Sequence, residues 1–445
     1  MPRACVVGAG PAGLIATRTL TAAGVDVDCI ELSSGVGGTW RIDNPNERSP
    51  AYRSLETNTT KAMSRLSDFK MPEDWPDFPG HARVLEWFES YVEHFGFGDR
   101  IELSSEVCEA TPLEPGGWRV VVRGPDGEQS ERRYDALLAA SGSYWSPRMP
   151  EFPGSLEGQV LHAQAYRGPE VPCSTRGKRV VVVGIGNTGC ELSCEIADAE
   201  ADAVFLSARS GAWILPKRRD GRPAAEGAPM MNPSDPVAPA LRLLPEGLRQ
   251  RLFEAMTARI FARMMGERMQ RLQQLGLPPP PPGPFDKRPT VCDPILAALE
   301  SGAVVAKPAI ERLDGKQVVF VDGSRVDADL VLCATGYHLR YPYLPADLVD
   351  TRDDDLKLFL GTMHPTRHDL FVLGVSRPTG AFWPIAEVQA RFVASLLGGR
   401  YALPRQRGIE RRSRLLFGGP PVNPALYALA IDEELRRGAR RLARR

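Results

Sequence analysis

The 445-residue chain has no apolar run long enough to cross a bilayer, for which a helix needs about 20 residues. A membrane-spanning helix is thereby excluded. Net charge is absent too: Lys plus Arg number 55, and Asp plus Glu number 55. No global field then draws the chain to nucleic acid or to acidic partners. The local exception, RRGARRLARR after Leu435, has few apolar residues and reads as a solvated helix end, not a membrane or nucleic-acid patch. Cys-x-x-Cys does not occur, and the eight cysteines are scattered, which suits a reducing compartment. Cys190 and Cys194 are four apart and read as small core residues on one helix face, not as a redox pair. Met1 leads directly into the first apolar run and leaves no room for a signal peptide, so a cytoplasmic protein is expected.

What is present is a repeated signal. CVVGAGPAG (Cys5 to Gly13) and VVVVGIGNTG (Val180 to Gly189) each place an apolar run before Gly-x-Gly-x-x-Gly. The physical content of that spacing is a tight turn at the first Gly and close approach of a pyrophosphate at the second. The third Gly allows tight helix–strand packing. Around the first copy, strand 4–8, helix 11–23 and strand 25–31 are predicted. Around the second, strand 179–183, helix 188–199 and strand 203–207 are predicted. A helix over 81–98, strands over 117–123 and 133–139 with a turn at GPDGE, and a hairpin plus buried strand in VVFVDGSRVDADLVLCATGY complete the pattern. An extended polar stretch from Asp220 to Pro239 precedes a long Met-rich helical segment and the stiff LPPPPPGP linker. That segment reads as an insertion packed on the body; a substrate lid or a partner surface is the alternative. There is no tandem repeat beyond the two βαβ units. The fold class expected is α/β, with two Rossmann-like dinucleotide-binding domains.

The two copies differ where the nucleotide is chosen. The first carries Glu31, 18 residues after Gly13, where a carboxylate can accept hydrogen bonds from a ribose diol. The second carries Ser207 and Arg209 at that place. A carboxylate would repel a 2′-phosphate, and a guanidinium pairs with it. The first site is therefore expected to hold FAD and the second NADPH, with hydride passing from nicotinamide to flavin. A disulfide reductase would need a close cysteine pair beside the flavin, and none is evident.

Beyond the two glycine motifs, the chain resembles the flavin-containing monooxygenases nearly end to end. The resemblance rests on GVGGTW (Gly35 to Trp40) and on YRSLETNTTKAMSRLSDFKMPEDWPDFP (Tyr52 to Pro79). It rests equally on LEGQVLHAQAY (Leu156 to Tyr166), VGIGNTGCE, ATGY (Ala334 to Tyr337) and RPTGAFWPIAEVQARF (Arg377 to Phe392). The third stretch matches the signature FxGxxxHxxxY through Gly158, His162 and Tyr166, with Leu156 for the opening Phe and with Ala163-Gln164 where many relatives have Ser-Arg. It closes Tyr166-Arg167 and not Trp followed by Pro or Asp, which favours heteroatom oxygenation over ketone insertion.

The resemblance implies NADPH reduction of FAD, an oxygen adduct at the flavin C4a carbon, and oxygen transfer to an amine nitrogen or a sulfide sulfur. Asn58 is the catalytic candidate, because an amide can donate and accept without titrating. FAD is assigned to Gly8, Gly10, Pro11, Ala12, Gly13, Glu31, Thr39, Trp40 and Asn58, with Gln389 at the flavin ring. NADPH is assigned to Gly186, Asn187, Thr188, Gly189, Ser207 and Arg209, with Thr57 beside them. No metal site is expected. His162 is read as a histidine locked by hydrogen bonds, and Trp383 as packing near the substrate approach. The FAD domain is expected over 1–165 and 285–445, and the inserted NADPH domain over 166–284. Substrate-choosing contacts are expected in 220–284 and around Arg377–Trp383. The partners expected are a small amine or sulfide and O2, with a homodimer favoured, and neither nucleic acid nor membrane. The competing readings are a Baeyer–Villiger monooxygenase acting on ketones, an NADPH oxidase or reductase, and a nucleotide-binding sensor without turnover.

Overall fold

The computed structural model describes residues 1–224, 244–284, 286–349, 356–376, 378–415 and 422–444. The first βαβ unit consists of strand β1 (Arg3–Val7), helix α1 (Pro11–Ala22) and strand β2 (Asp26–Ile30). The second consists of β3 (Arg179–Val183), α2 (Asn187–Asp198) and β4 (Ala203–Ser207). β1 and β3 are apolar on both faces, as strands buried in the middle of a parallel sheet are.

Each unit nucleates its own five-stranded sheet. In the first, the order is Leu370–Val372, Ala136–Ala139, β1, β2, Ile101–Glu102. In the second, it is Val305–Lys307, β4, β3, Leu330–Cys333, Gln159–His162. All these pairings are parallel. Parallel neighbours need crossovers, so each sheet recruits strands from far along the chain.

That recruitment corrects the expected division at 166–284. The second sheet takes strands from 159–162 and from 305–333, on both sides of that span. Without Leu330–Cys333, β3 would present an open edge, with its backbone groups unpaired. The chain returns to the first sheet only with Leu370–Val372. The strand expected over 133–139 is likewise two strands. Gln129–Tyr134 closes an antiparallel meander, and Ala136–Ala139 enters the parallel sheet. Asp135 makes the switch: its amide donates to the Arg3 carbonyl at 2.8 Å, and its carboxylate accepts from the Arg3 amide at 2.7 Å.

The long helix α3 (Glu246–Gln274) is packed on the body. Met265, Met269 and Leu272 enter the core of the second unit. Phe253 packs with Ala425 and Leu429 of the final helix α5 (Pro424–Leu442), and Arg249 pairs with Glu433 at 2.7 Å. The Arg-rich chain end continues α5, and Arg441 is folded back onto Tyr401 and Glu434 instead of being wholly solvated. Helix α4 (Trp383–Leu397) lies against α1 inside the first core. Among the described residues no helix is long and apolar enough to cross a membrane. The expected stretch Asp220–Pro239 lies mostly outside the described residues, as do Phe285 and Arg377.

Candidate cofactor cleft

The two glycine turns are built alike. Gly8 has φ +104°, and a Cβ there would stand 2.9 Å from the Ala140 carbonyl oxygen. Gly184 has φ +111°, and its Cβ would stand 2.6 Å from that of Ala334. The look-alike segments AASG and ATGY thus cap the two turns equivalently. At the third position a Cβ on Gly13 or on Gly189 would lie 1.8 Å from the carbonyl oxygen of Gly8 or Gly184. These glycines serve helix–strand packing, as expected, and do not line the cleft. Neither α1 nor α2 has a side-chain N-cap or an acid in its first turn. Their first N–H groups and positive dipole ends are therefore available to phosphate.

One cavity of about 670 Å³ runs between the two turns. On the first side Gly8, Gly10, Pro11, Ala12, Glu31, Thr39 and Trp40 line it. On the second side Gly186, Asn187 and Thr188 line it, with Thr57 and Asn58 between. Gly10 lies against Gly38, where an added Cβ would come within 2.9 Å of the Gly10 Cα, so the loop must close without side chains. Trp40 meets Trp383 edge to face at 5.9 Å, and Trp383 packs on Trp87 and Phe88.

Glu31 follows β2 and is buried. Its two carboxylate oxygens accept from the Ala9 amide at 2.6 Å and the Ser33 amide at 2.7 Å. Burial pushes its carboxyl above the usual range, and the two amides and Arg41 offset part of that rise. Thr57 Oγ1 and Asn58 Oδ1 are buried and hydrogen-bonded to no described protein group. Such atoms are costly unless something in the cavity satisfies them. The residues present therefore fit a bound dinucleotide and flavin ring. His162 is locked as expected: Nδ1 accepts from the Gln164 amide at 3.1 Å, and Nε2 donates to the Gly336 carbonyl at 3.0 Å. Burial holds it below the ordinary histidine range, and the Gly336 carbonyl offsets part of that fall.

Besides Gly13 and Gly189, three more of the assigned residues are outside the cleft lining. Gln389 is fully buried in α4, and its Nε2 donates to the Gly361 carbonyl at 2.8 Å, so it holds a backbone turn and does not line the cleft. Ser207 is buried and donates to the Pro308 carbonyl at 2.8 Å, outside the cleft. Arg209 is exposed and is not among the residues lining the cleft; its neighbour Ser210 accepts from Lys287 Nζ at 3.0 Å. Reasoning from sequence missed Glu191, which lines the cleft from α2 and binds the Tyr52 hydroxyl. Its place directly after the fingerprint, in VGIGNTGCE, was the available signal.

Comparison with known proteins agrees with this arrangement. The family model described as flavin-binding monooxygenase-like matches residues 2–412. The chain is similar to flavin-containing monooxygenase 5 of Oryctolagus cuniculus, 32% identical over 417 residues, covering 91% of this chain and 75% of that one. It is 29% identical over 426 residues to flavin-containing monooxygenase 2 of Homo sapiens, with the same coverage. Among solved structures, S-allyl-L-cysteine S-oxygenase from Allium sativum superposes with TM-score 0.68 at 21% identity, covering 100% of this chain and 92% of that chain. Cyclohexanone monooxygenase from Rhodococcus sp. Phi1 bound to NADP+ superposes with TM-score 0.67 at 18% identity, covering 99% and 98%.

Proposed function

The chain belongs to the flavin-binding monooxygenase-like family and is an FAD- and NADPH-using oxidoreductase; from that premise we propose that it oxygenates a soft heteroatom, an amine nitrogen or a sulfide sulfur. In the balanced reaction one oxygen atom of O2 goes to the substrate lone pair and the other leaves as water. NADPH supplies two electrons and one proton, and solvent supplies the second proton. Bound FAD supplies the two-electron acceptance from NADPH and the activation of O2.

The observation that carries the reading is the unpartnered, buried Asn58 amide oxygen in one cavity shared by both glycine turns. Asn58 orients the reactive edge of the ring without carrying a proton of its own to lose. Thr57 is the adjacent hydroxyl on the nicotinamide side. The N–H groups at the start of α1 and α2 hold the two pyrophosphates, and Glu31 holds the diol of the first. Arg209 selects the 2′-phosphate of the second. The first dinucleotide domain is formed by the sheet around β1 and the second by the sheet around β3. Aromatic packing of Trp40, Trp87 and Trp383 keeps bulk water from the ring.

Heteroatom transfer is supported by the Tyr166-Arg167 close of the signature and by relatives named for N-oxide formation and S-oxygenation. Ketone insertion is the second reading, supported by the equal superposition on cyclohexanone monooxygenase. Product analysis decides. A tertiary amine or thioether should give N-oxide or sulfoxide in step with NADPH use, and a cyclic ketone should give no lactone. Asn58→Ala should lower product per NADPH about 100-fold, the scale of one oriented active-site donor, with the balance leaving as hydrogen peroxide. The eight free cysteines support the expected reducing, cytoplasmic compartment, and the solution mass tests the expected homodimer.

A further inference from the structure

In the wall of the cleft, a polar chain that is buried except at Glu56 links the segment carrying Asn58 to α2 through residues that the oxygen-transfer reading does not use. Tyr52 is 2% exposed, and its hydroxyl donates to Glu191. The other oxygen of Glu191 lies 3.7 Å from Lys217 Nζ, and Lys217 lies 3.4 Å from Glu56. The Lys217 side chain is 10% exposed and the Glu191 side chain 16%. Burial pushes the Glu191 carboxyl up, while Lys217 and Tyr52 pull it back.

The chain has a direction. Glu191 stands one helical turn after Asn187 and Thr188, so all three share the face of α2 that lines the cleft. Tyr52 and Glu56 bracket the other end, on the segment that carries Thr57 and Asn58. That segment is pinned on its outer side by the Thr57 amide on the Pro79 carbonyl at 3.0 Å and the His81 amide on the Leu55 carbonyl at 2.9 Å. On its inner side the Tyr52 ring meets Tyr166 at 6.3 Å, and its hydroxyl reaches α2. A buried ammonium and a buried carboxylate are each costly unpaired, so the four groups hold one arrangement together.

We propose that Glu191 is a positioning residue: through Tyr52 and Lys217 it ties the Asn58 segment to the first turn of α2, so that nicotinamide-nucleotide binding there tightens the placement of Asn58. The inference rests on the monooxygenase reading above. Ordering the first turn of α2 fixes Glu191, and Glu191 then removes freedom from residues 52–58. This is coupling through shared rigidity, and it requires no large movement.

The test is amide hydrogen exchange of residues 52–58 in the FAD-loaded protein, with and without NADP+, for the unmodified chain, Glu191→Gln and Tyr52→Phe. Calorimetry confirms nucleotide binding in each. For the unmodified chain, NADP+ should slow exchange in 52–58 about tenfold, within the usual range of coupling between sites. In both variants that ratio should fall toward one while NADP+ still binds, and the double variant should match either single. A merely structural role raises exchange with and without NADP+ alike and leaves the ratio intact, and that result overturns the proposal. If Glu191→Gln fails to fold, Lys217→Met is measured instead, with the same two outcomes. If the unmodified FAD-loaded chain binds no NADP+, the monooxygenase reading itself fails; if it binds and only the ratio stays unchanged, the linkage alone fails.

Discussion

The two βαβ units share a backbone and differ at the end of their second strand. Gly8 and Gly184 have nearly the same positive φ, and a Cβ on Gly13 or Gly189 would stand the same 1.8 Å from the equivalent carbonyl oxygen, of Gly8 or of Gly184. Beyond β2, Glu31 is buried, bound by two amides and faces the cleft. At the end of β4, Ser207 is engaged by the Pro308 carbonyl, and beyond it Arg209 is exposed. The glycine turn is thus a backbone device, repeated almost unchanged. The side chains that follow differ: Glu31 is buried against the cleft, whereas Ser207 is buried outside it and Arg209 is exposed. That contrast fits a cofactor retained through many turnovers on the first side and a co-substrate exchanged every turnover on the second.

The largest effects should come from breaking each turn separately. Gly13→Val should abolish FAD retention and yield colourless, poorly folded protein. Gly189→Val should leave a yellow protein whose flavin is not reduced by NADPH at any practical concentration. Both follow from side-chain atoms placed where a carbonyl already sits, a clash of several kcal/mol. Absorbance of the purified variants and anaerobic NADPH titration separate them.

Next in size is the sugar end. Glu31→Ala leaves two buried amides unpaired and removes the diol acceptor, so FAD affinity should fall about 100-fold by dialysis and fluorescence titration. Arg209→Gln should weaken NADPH about tenfold and leave NADH unchanged, the scale of one exposed charge-assisted contact. A fall for NADH as large as for NADPH would show that Arg209 does not read the 2′-phosphate.

The smallest effect compares one histidine in each unit, His162 buried and His364 half-buried. His162 and His364 are both held below the ordinary histidine range, chiefly by burial. With the folded value below the unfolded one, the stability each contributes is present above about pH 6.5 and is lost as pH falls through the folded value. Each should add up to about 1.4 kcal/mol per pH unit to the acid limb of the stability curve. His162→Asn should flatten that limb, and His364→Asn should flatten it by a similar amount. A denaturant series from pH 7.5 to 5 reads both.

Much of this was legible in the sequence, because it is local. Both βαβ units fall within a residue or so of their expected ends, since periodicity, turn glycines and Pro11 act at short range. What was not legible depends on distant pairing. Nothing near Leu330 announces that its strand completes the sheet of β3 rather than that of β1, so the second unit was expected too short. Gln389 sits on an apolar helix face, and only the fold shows that its partner is the Gly361 carbonyl and not a ring in the cleft. Ser207 and Glu191 exchanged importance for the same reason. Each is held by partners distant in sequence, the Pro308 carbonyl for the first and Tyr52 and Lys217 for the second, which no spacing rule reveals. Asn58 was named from the resemblance, as the family's Thr-Asn pair and an amide that does not titrate, and its oxygen is unpartnered and lines the cleft.

The central claim is that both turns serve one cavity in which O2 is split between a soft heteroatom and water. The most direct measurement supplies purified, FAD-loaded protein with NADPH, a thioether and isotopically labelled O2, and follows product mass, hydrogen peroxide and NADPH together. The account predicts singly labelled sulfoxide, close to one per NADPH, with little peroxide. Peroxide equal to NADPH consumed, with no labelled sulfoxide from a thioether or N-oxide from a tertiary amine, would contradict it.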